Sequence, residues 1–149
     1  MSNIKEVAVN RKAYHDYFII EEYEAGIVLI GPEIKSIRAG KVQIKDSYVS
    51  FVNHEAILKG MNIAKFKEAN IFNHDEERER KLLLNKREIY RLEEKVKLEG
   101  LTIIPLKVIL KDGLCKIEIA LCKGKTNYDK RESDRKRTME MEARQALRH

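Results

Sequence analysis

The chain has 149 residues, enough for one domain with an extension, and its 43% apolar fraction is close to that of ordinary globular domains. Charged residues make up 36% of the sequence, and 30 Lys and Arg against 24 Asp and Glu give a formal net charge of +6. This excess favours a polyanionic partner, because neutralising phosphates releases counterions, but it does not by itself distinguish RNA from DNA, acidic protein or an anionic membrane.

Cysteine content and hydropathy indicate where such a chain works. Cys115 and Cys122 are the only cysteines, fewer than small secreted domains usually carry. The first residues contain no apolar core of a signal peptide, and no run reaches the roughly 18 apolar residues that span a bilayer. We therefore expect a soluble, cytoplasmic protein.

The first half of the chain reads mostly as short strands. Gly26 indicates a turn after the first of them, and Ile34 and Ile37 are spaced as on one face of a short helix that ends near Gly40. Residues 53–55 indicate a hairpin turn. The predicted strands are 16–23, 27–30, 42–45, 48–52 and 56–63.

The second half changes pattern after the charged stretch 74–80. Ile89, Leu92 and Val96 mark one face of a longer helix, with Asn85 as a candidate N-cap. Strands are predicted again at 101–110, where Pro105 indicates an edge or a bulge, and at 115–121, where apolar and polar residues alternate. The Asp112-Gly113 pair between them is typical of a tight turn.

These elements predict a mainly β fold with added α: an OB-type closed β-barrel of about six strands plus short helices, spanning residues 1–122. The remaining segment, 123–149, contains nine basic and five acidic residues and few large apolar ones. It cannot form a core of its own, so we expect a basic C-terminal tail that is disordered alone and helical when bound.

Recognisable catalytic, nucleotide and metal motifs are absent, so no enzyme, cofactor or metal site is predicted. The four histidines lack ligand spacing. Gly124-Lys125-Thr126 resembles the end of a phosphate-binding loop, but Ile119 stands where that motif needs glycine. The acids at 75–77 adjoin Arg78 and favour a solvated charged run over a Mg²⁺ site.

Three groups of motifs together resemble the SsrA-binding protein family, also called SmpB. They are Asn10-Arg11-Lys12-Ala13-Tyr14-His15-Asp16-Tyr17 with Gly31-Pro32-Glu33-Ile34-Lys35-Ser36, then Arg80-Lys81-Leu82-Leu83-Leu84-Asn85-Lys86-Arg87, then Lys123-Gly124-Lys125 with Tyr128-Asp129-Lys130-Arg131. The resemblance implies an OB-type barrel that binds tmRNA and delivers it to stalled ribosomes in trans-translation, without chemistry of its own. It also implies three partners: tmRNA, the ribosome and elongation factor Tu. We expect a monomer and no membrane association.

Site residues carry over from the same motifs. On the barrel, RNA contacts are expected from Glu24, Lys35, Arg38, Arg80, Lys81, Leu83, Asn85, Lys86, Arg87, Lys123 and Lys125. In the tail, ribosome contacts in the decoding site and the empty message channel are expected from Tyr128, Asp129, Lys130, Arg131, Arg135, Lys136 and Arg137. Two departures stand out: Glu76 replaces a proline that is common in the family, and the end of the tail matches poorly.

Other interpretations remain open at the level of sequence. Asn85 serves equally well as a helix cap alone, and Leu83 as a core residue. The whole chain also fits another ribosome- or tRNA-associated RNA-binding protein of OB type. A Mg²⁺-dependent nuclease using residues 75–77, or a scaffold that pairs through the helix at 88–99, is a further alternative.

Overall fold

The computed structural model describes residues 3–66 and 75–125. Within these ranges the chain forms nine strands and three helices, and no helix there is long and apolar enough to cross a membrane. In chain order the elements are β1 (Ile4–Val9), α1 (Arg11–Asp16), β2 (Tyr17–Ile27), α2 (Gly31–Arg38), β3 (Val42–Gln43), β4 (Tyr48–Val52), β5 (Glu55–Lys59), β6 (Asn62–Ile63), β7 (Arg80–Leu83), α3 (Lys86–Glu99), β8 (Thr102–Lys111) and β9 (Leu114–Gly124).

Seven strands form one antiparallel sheet in the order β1-β8-β4-β5-β7-β2-β9, and β8 also pairs with β9. The prediction of a mainly β fold with added helices is confirmed. The predicted closed barrel is corrected, because β4 and β8 share a single register pair, Val49 with Ile103. β1, and not β4, pairs with β8 from Lys107 to Lys111. The sheet therefore curls round without a continuous ladder at this seam.

β2 differs most from the sequence prediction, because it continues through Gly26 without a turn. Gly26 faces Leu83 of β7, and a Cβ built on it would lie 3.2 Å from the Leu83 Cβ. The glycine therefore serves close packing between two strands. The predicted strand at 27–30 is wrong beyond Ile27, because residues 28–30 lead directly into α2.

Several predicted turns are confirmed by backbone geometry. Asn53 and His54 adopt positive φ angles of 50° and 61° in the β4–β5 hairpin, and Asp112 and Gly113 do so between β8 and β9. Pro105 lies at a register shift in the β8–β9 ladder, as expected of a bulge. β1, α1 and β7 were not predicted, and the predicted strand at 56–63 is interrupted by Gly60.

The main hydrophobic core lies inside the curled sheet and gathers buried residues from every long strand except β1. A smaller cluster, built round Leu106 and Cys122, packs beneath α1. α3 contributes one fully buried side chain, Leu92, as its amphipathic pattern predicted. Burial raises the pKa of Cys115 to about 11 and that of Cys122 to about 12, so both remain thiols and act as small core residues.

A buried ion network joins α2 to β7. Glu33 and Arg80 are both fully buried, and the Arg80 Nε donates to Glu33 Oε2 over 2.7 Å. Arg80 Nη1 also donates to the Met61 carbonyl over 2.6 Å, and Arg78 Nη2 donates to Glu33 Oε1 over 2.5 Å. Burial alone would raise the pKa of Glu33, but the hydrogen bonds from Arg78, the Ile30 amide and Arg80 outweigh it and hold this pKa below its usual value.

We predict that Glu33→Gln lowers the free energy of unfolding by about 3–5 kcal/mol, because it leaves the Arg80 guanidinium buried without a counter-charge. Urea denaturation followed by circular dichroism measures the change. Glu79→Gln is the control, since Glu79 pairs with Lys59 on the surface at 3.8 Å and should cost about 0–1 kcal/mol. Equal losses in the two variants would contradict the structural role of the buried pair.

Candidate nucleic-acid interface

The short strand β7 alternates between core and solvent. Arg80 and Leu82 point inward and are buried, whereas Lys81 and Leu83 are exposed. The chain then passes through Leu84 into α3. We use the name β7–α3 surface for the exposed residues of this strand and of the helix start, together with one residue of the neighbouring strand β2: Glu24, Lys81, Leu83, Asn85, Lys86 and Arg87.

Asn85 caps α3 and keeps part of its side chain available. Its Oδ1 accepts the Glu88 amide over 2.9 Å, and Glu88 Oε1 accepts the Asn85 amide over 3.1 Å. This reciprocal capping box confirms the predicted cap. The Nδ2 donors of Asn85 have no partner among the described residues, so the amide can donate to an external acceptor while the cap stays intact.

Leu83 and Glu24 are both exposed, on the neighbouring strands β7 and β2. Leu83 is 52% exposed, so its placement corrects the core interpretation. It sits opposite Gly26, two residues beyond Glu24 on β2. Glu24 is exposed, and its carboxylate lies 3.5 Å from the Lys111 ammonium. An exposed leucine beside a hydrogen-bond acceptor offers an apolar contact and a polar one to the same ligand.

The cations of this surface favour a bound anion. Lys86 and Arg87 are exposed in the first turn of α3, where unpaired backbone amides already carry partial positive charge. Lys81 lies 3.4 Å from Glu55 in an exposed pair, which contributes little to stability and leaves the ammonium accessible. Phosphate oxygens are the natural ligands of such a group.

Arg80 does not belong to this surface, and the prediction that it contacts RNA is corrected. Its side chain has no exposed area, and its donors reach Glu33, the Met61 carbonyl and the Glu76 carbonyl. The sequence motif placed it beside exposed cations, but the alternation of β7 turns it into the core.

The other predicted cations lie elsewhere on the molecule. Lys35 and Arg38 are exposed on α2, and the Lys35 ammonium lies 5.3 Å from the Phe66 ring centre. Lys123 pairs with Phe18 at the far end of β2, and the Lys125 ammonium lies 5.2 Å from the Phe18 ring centre. β9 extends to Gly124, two residues past the predicted end of the barrel domain.

Two groups of predictions concern other parts of the chain. The tail residues Tyr128, Asp129, Lys130, Arg131, Arg135, Lys136 and Arg137 lie outside the described residues. Near the acids at 75–77, Asp75 Oδ1 accepts the Glu77 amide over 3.0 Å. No group of three metal-ligating side chains occurs among the residues that the structure describes.

Two polar contacts that hold α3 on the sheet were not predicted from the sequence. Arg91 donates to Glu21, which also accepts the Tyr23 hydroxyl. On the other side of the helix, His54 in the β4–β5 turn lies 3.0 Å from Glu93. The helix residues and their partners are 39 to 70 positions apart, and no local spacing pairs them.

Known proteins similar to this chain cover almost all of it. A family model described as SmpB protein matches residues 7–149. The SsrA-binding protein of Persephonella marina (strain DSM 14350 / EX-H1) is 58% identical over 139 residues, which cover 93% of this chain and 91% of the relative. That of Desulfitobacterium hafniense (strain DSM 10664 / DCB-2) is 54% identical over 141 residues, 92% of this chain and 90% of the relative.

One solved structure is also similar. It is described as "tmRNA-SmpB: a journey to the center of the bacterial ribosome", and its matching chain has a TM-score of 0.67 and 45% sequence identity. The match covers 79% of this chain and 83% of that chain.

We predict that the Glu21→Gln variant loses less stability than the unchanged chain when the pH is lowered. Hydrogen bonds from Arg91 and then Tyr23 lower the pKa of Glu21 from 4.5 to about 2. A depressed folded-state pKa gives stabilisation that is complete above pH 4.5 and is lost as the pH falls towards 2. Melting temperatures measured from pH 7 to pH 2 should therefore fall less in the variant. A matched control is Glu22→Gln, because Glu22 is an exposed neighbour without an ion pair in the described ranges. Identical melting curves for the two variants would contradict a stabilising contact between Arg91 and Glu21.

Proposed function

This chain belongs to the SmpB protein family, and we propose that it binds the tRNA-like domain of tmRNA and delivers this RNA to stalled ribosomes in trans-translation. Its relatives are named SsrA-binding proteins, which supports tmRNA as the RNA partner. The description of the similar solved structure, which puts tmRNA-SmpB in the bacterial ribosome, supports the second partner.

The observation that carries the proposal is the composition of the β7–α3 surface. It brings together side chains that recognise folded RNA in different ways: Lys81, Lys86 and Arg87 for phosphates, Leu83 for an apolar contact, and Asn85 and Glu24 for hydrogen bonds. Glu24 repels phosphate, so its role is to accept from a 2′-hydroxyl or a base amino group. Lys35 and Arg38, exposed on α2, provide further phosphate contacts outside this surface.

The remaining parts of the proposal concern partners and the tail. The residues from Tyr128 to Arg137 contact the decoding site and the empty message channel, where their basic side chains neutralise ribosomal phosphate. The chain acts as a cytoplasmic monomer, meets elongation factor Tu on the alanylated RNA, and catalyses no reaction. The Asp129-Lys130-Arg131 motif and the relatives' names support this part of the proposal.

A titration of the full chain against fluorescently labelled tRNA-like domain, with elongator tRNA as competitor, tests the proposal. We expect tight binding that resists the competitor, and a roughly 5- to 150-fold loss when Lys81 and Leu83 are both changed to Ala. Lys5→Ala serves as a charge control, because Lys5 is exposed on β1 and is not one of the residues of the β7–α3 surface. Equal affinity for both RNAs with a steep salt dependence would indicate nonspecific attraction and overturn the proposal.

Asn85→Ser separates the two roles of this residue. A serine hydroxyl still accepts the Glu88 amide, so the free energy of unfolding should change by less than about 1 kcal/mol. The variant lacks the Nδ2 donors, so its affinity for the tRNA-like domain should fall roughly tenfold. Asn85→Ala should lose both stability and affinity. Unchanged binding by the serine variant would mean that Asn85 only caps the helix.

A further inference from the structure

An exposed tyrosine lies on α3 just beyond the β7–α3 surface. A helix that packs on a sheet with one side normally carries polar residues on its other side. Tyr90 and Leu98 depart from this pattern, because 54% and 75% of their surfaces are exposed. Both line a groove of about 720 Å³ along α3, between Arg87 and Glu99. The exposed part of each side chain is not used by the core, so it is accessible to a ligand.

Of the two, Tyr90 adjoins the cations of the β7–α3 surface. Lys86 and Arg87 precede it by four and three residues, and side chains at these spacings are neighbours on a helix. Arg87 and Tyr90 also line the same groove. Leu98 lies about two turns further along the helix. The tyrosine and the two cations therefore form one exposed group.

The β4–β5 turn connects Tyr90 to the strand side of the same surface. The centre of the His54 ring lies 5.4 Å from that of the Tyr90 ring, and the two planes are inclined by 51°. His54 Nδ1 also lies 3.0 Å from Glu93 Oε2, which holds the turn against the helix. The next residue, Glu55, lies 3.4 Å from the Lys81 ammonium. Consecutive residues of one turn thus contact Tyr90 and Lys81.

Most cations in the groove already have a partner. Arg91 is paired with Glu21, and Lys95 is paired with Glu99. The two cations that precede Tyr90 have no ion pair among the residues that the structure describes. An external anion is therefore attracted to the start of α3 more than to its middle.

Glu94 determines how an anionic ligand can lie along the helix. It is exposed one turn beyond Tyr90 and has no ion pair within the described ranges. Its carboxylate repels phosphate, so the charged part of a ligand lies towards Lys86 and Arg87, and an uncharged part lies on Tyr90. A nucleotide has this arrangement, since its phosphate is charged and its base is a neutral aromatic ring.

We propose that Tyr90 stacks on an unpaired base of the bound RNA, while Lys86 and Arg87 hold the phosphates next to that base. The inference rests on the proposed function and deepens it, because it makes the surface selective for an RNA that exposes a base at this point. Bases within a stem are covered on both faces by neighbouring pairs and offer none to a tyrosine.

Affinity of the full chain for labelled tRNA-like domain gives the first test. Tyr90→Leu should weaken binding roughly 5- to 150-fold, because one base loses its stacking partner. Tyr90→Phe should bind as the unchanged chain does, since stacking needs the ring and not the hydroxyl. Tyr14→Leu is the matched control, because Tyr14 is an exposed tyrosine of α1. Equal affinities of the two leucine variants would overturn the inference.

Abasic substitutions in the RNA distinguish stacking from a structural role of Tyr90. Each unpaired nucleotide of the tRNA-like domain is replaced in turn by an abasic one. One replacement should weaken binding to the unchanged chain and cause no further loss with Tyr90→Leu, because both changes remove the same contact. If no replacement behaves in this way, Tyr90 does not stack on a base.

A fluorescent reporter tests the contact directly. The chain contains no tryptophan, so Tyr90→Trp introduces a single indole. Its emission should be quenched when the tRNA-like domain binds, because the indole stacks on the base. The emission of Tyr14→Trp should stay unchanged. Equal quenching of the two variants, or quenching of neither, contradicts the stacking.

The proposed function and the stacking inference fail in different ways. If the unchanged chain does not prefer the tRNA-like domain to elongator tRNA, the proposed function fails. If it does prefer this domain, but Tyr90→Leu keeps its affinity and Tyr90→Trp is not quenched, only the stacking inference fails.

Discussion

The buried pair of Glu33 and Arg80 sets the register on which the exposed surface of β7 depends. β7 has only four residues, and two of them carry long basic side chains that are adjacent in sequence. Shifting a strand by one residue exchanges its faces, which would bring Lys81 inside and turn Arg80 out. Glu33 prevents this shift, because its fully buried carboxylate is matched by the guanidinium of Arg80 in the observed register. A buried ion pair contributes little net stability compared with apolar residues, so its main effect here is to select one register.

The same register fixes the start and the direction of α3. With Leu83 facing outward, Leu84 brings the backbone to Asn85, whose capping box starts the helix at a defined residue. The helix adds a single fully buried side chain, Leu92, and is oriented by the Arg91–Glu21 and His54–Glu93 contacts. The residues proposed to contact RNA therefore lie on a strand and a helix start whose directions are fixed by polar contacts. Such a surface needs little reordering when it binds, which lowers the entropic cost of recognition.

The sequence allows local features to be predicted but leaves most long-range ones open. The face of α3, its cap at Asn85 and the strand β9 follow from spacings within a few residues, and the structure confirms them. Burial along β9 does not alternate throughout, because Ala120 and Cys122 pack in the second cluster, so that all residues from Ile119 to Cys122 are buried. The RNA contact predicted for Arg80 is wrong because a motif of adjacent cations does not reveal which of them has a buried carboxylate 47 positions away. The turn predicted at Gly26 is wrong for a related reason. The same glycine serves a turn or a close strand contact, and only the position of Leu83 decides between them.

The placement of acids along β2 bears on how far an RNA can extend from the proposed β7–α3 surface. Glu24 belongs to the β7–α3 surface, Glu22 is exposed two residues before it on β2, and Glu118 of β9 lies directly opposite Glu24. Carboxylates in this stretch repel a phosphate backbone that would otherwise lie along the whole face of a chain with net charge +6. The basic residues of the β7–α3 surface remain attractive, since the repulsion is screened over about 10 Å at ordinary ionic strength. We therefore expect a bound RNA to follow Lys81, Lys86 and Arg87 and to stop short of the middle of β2.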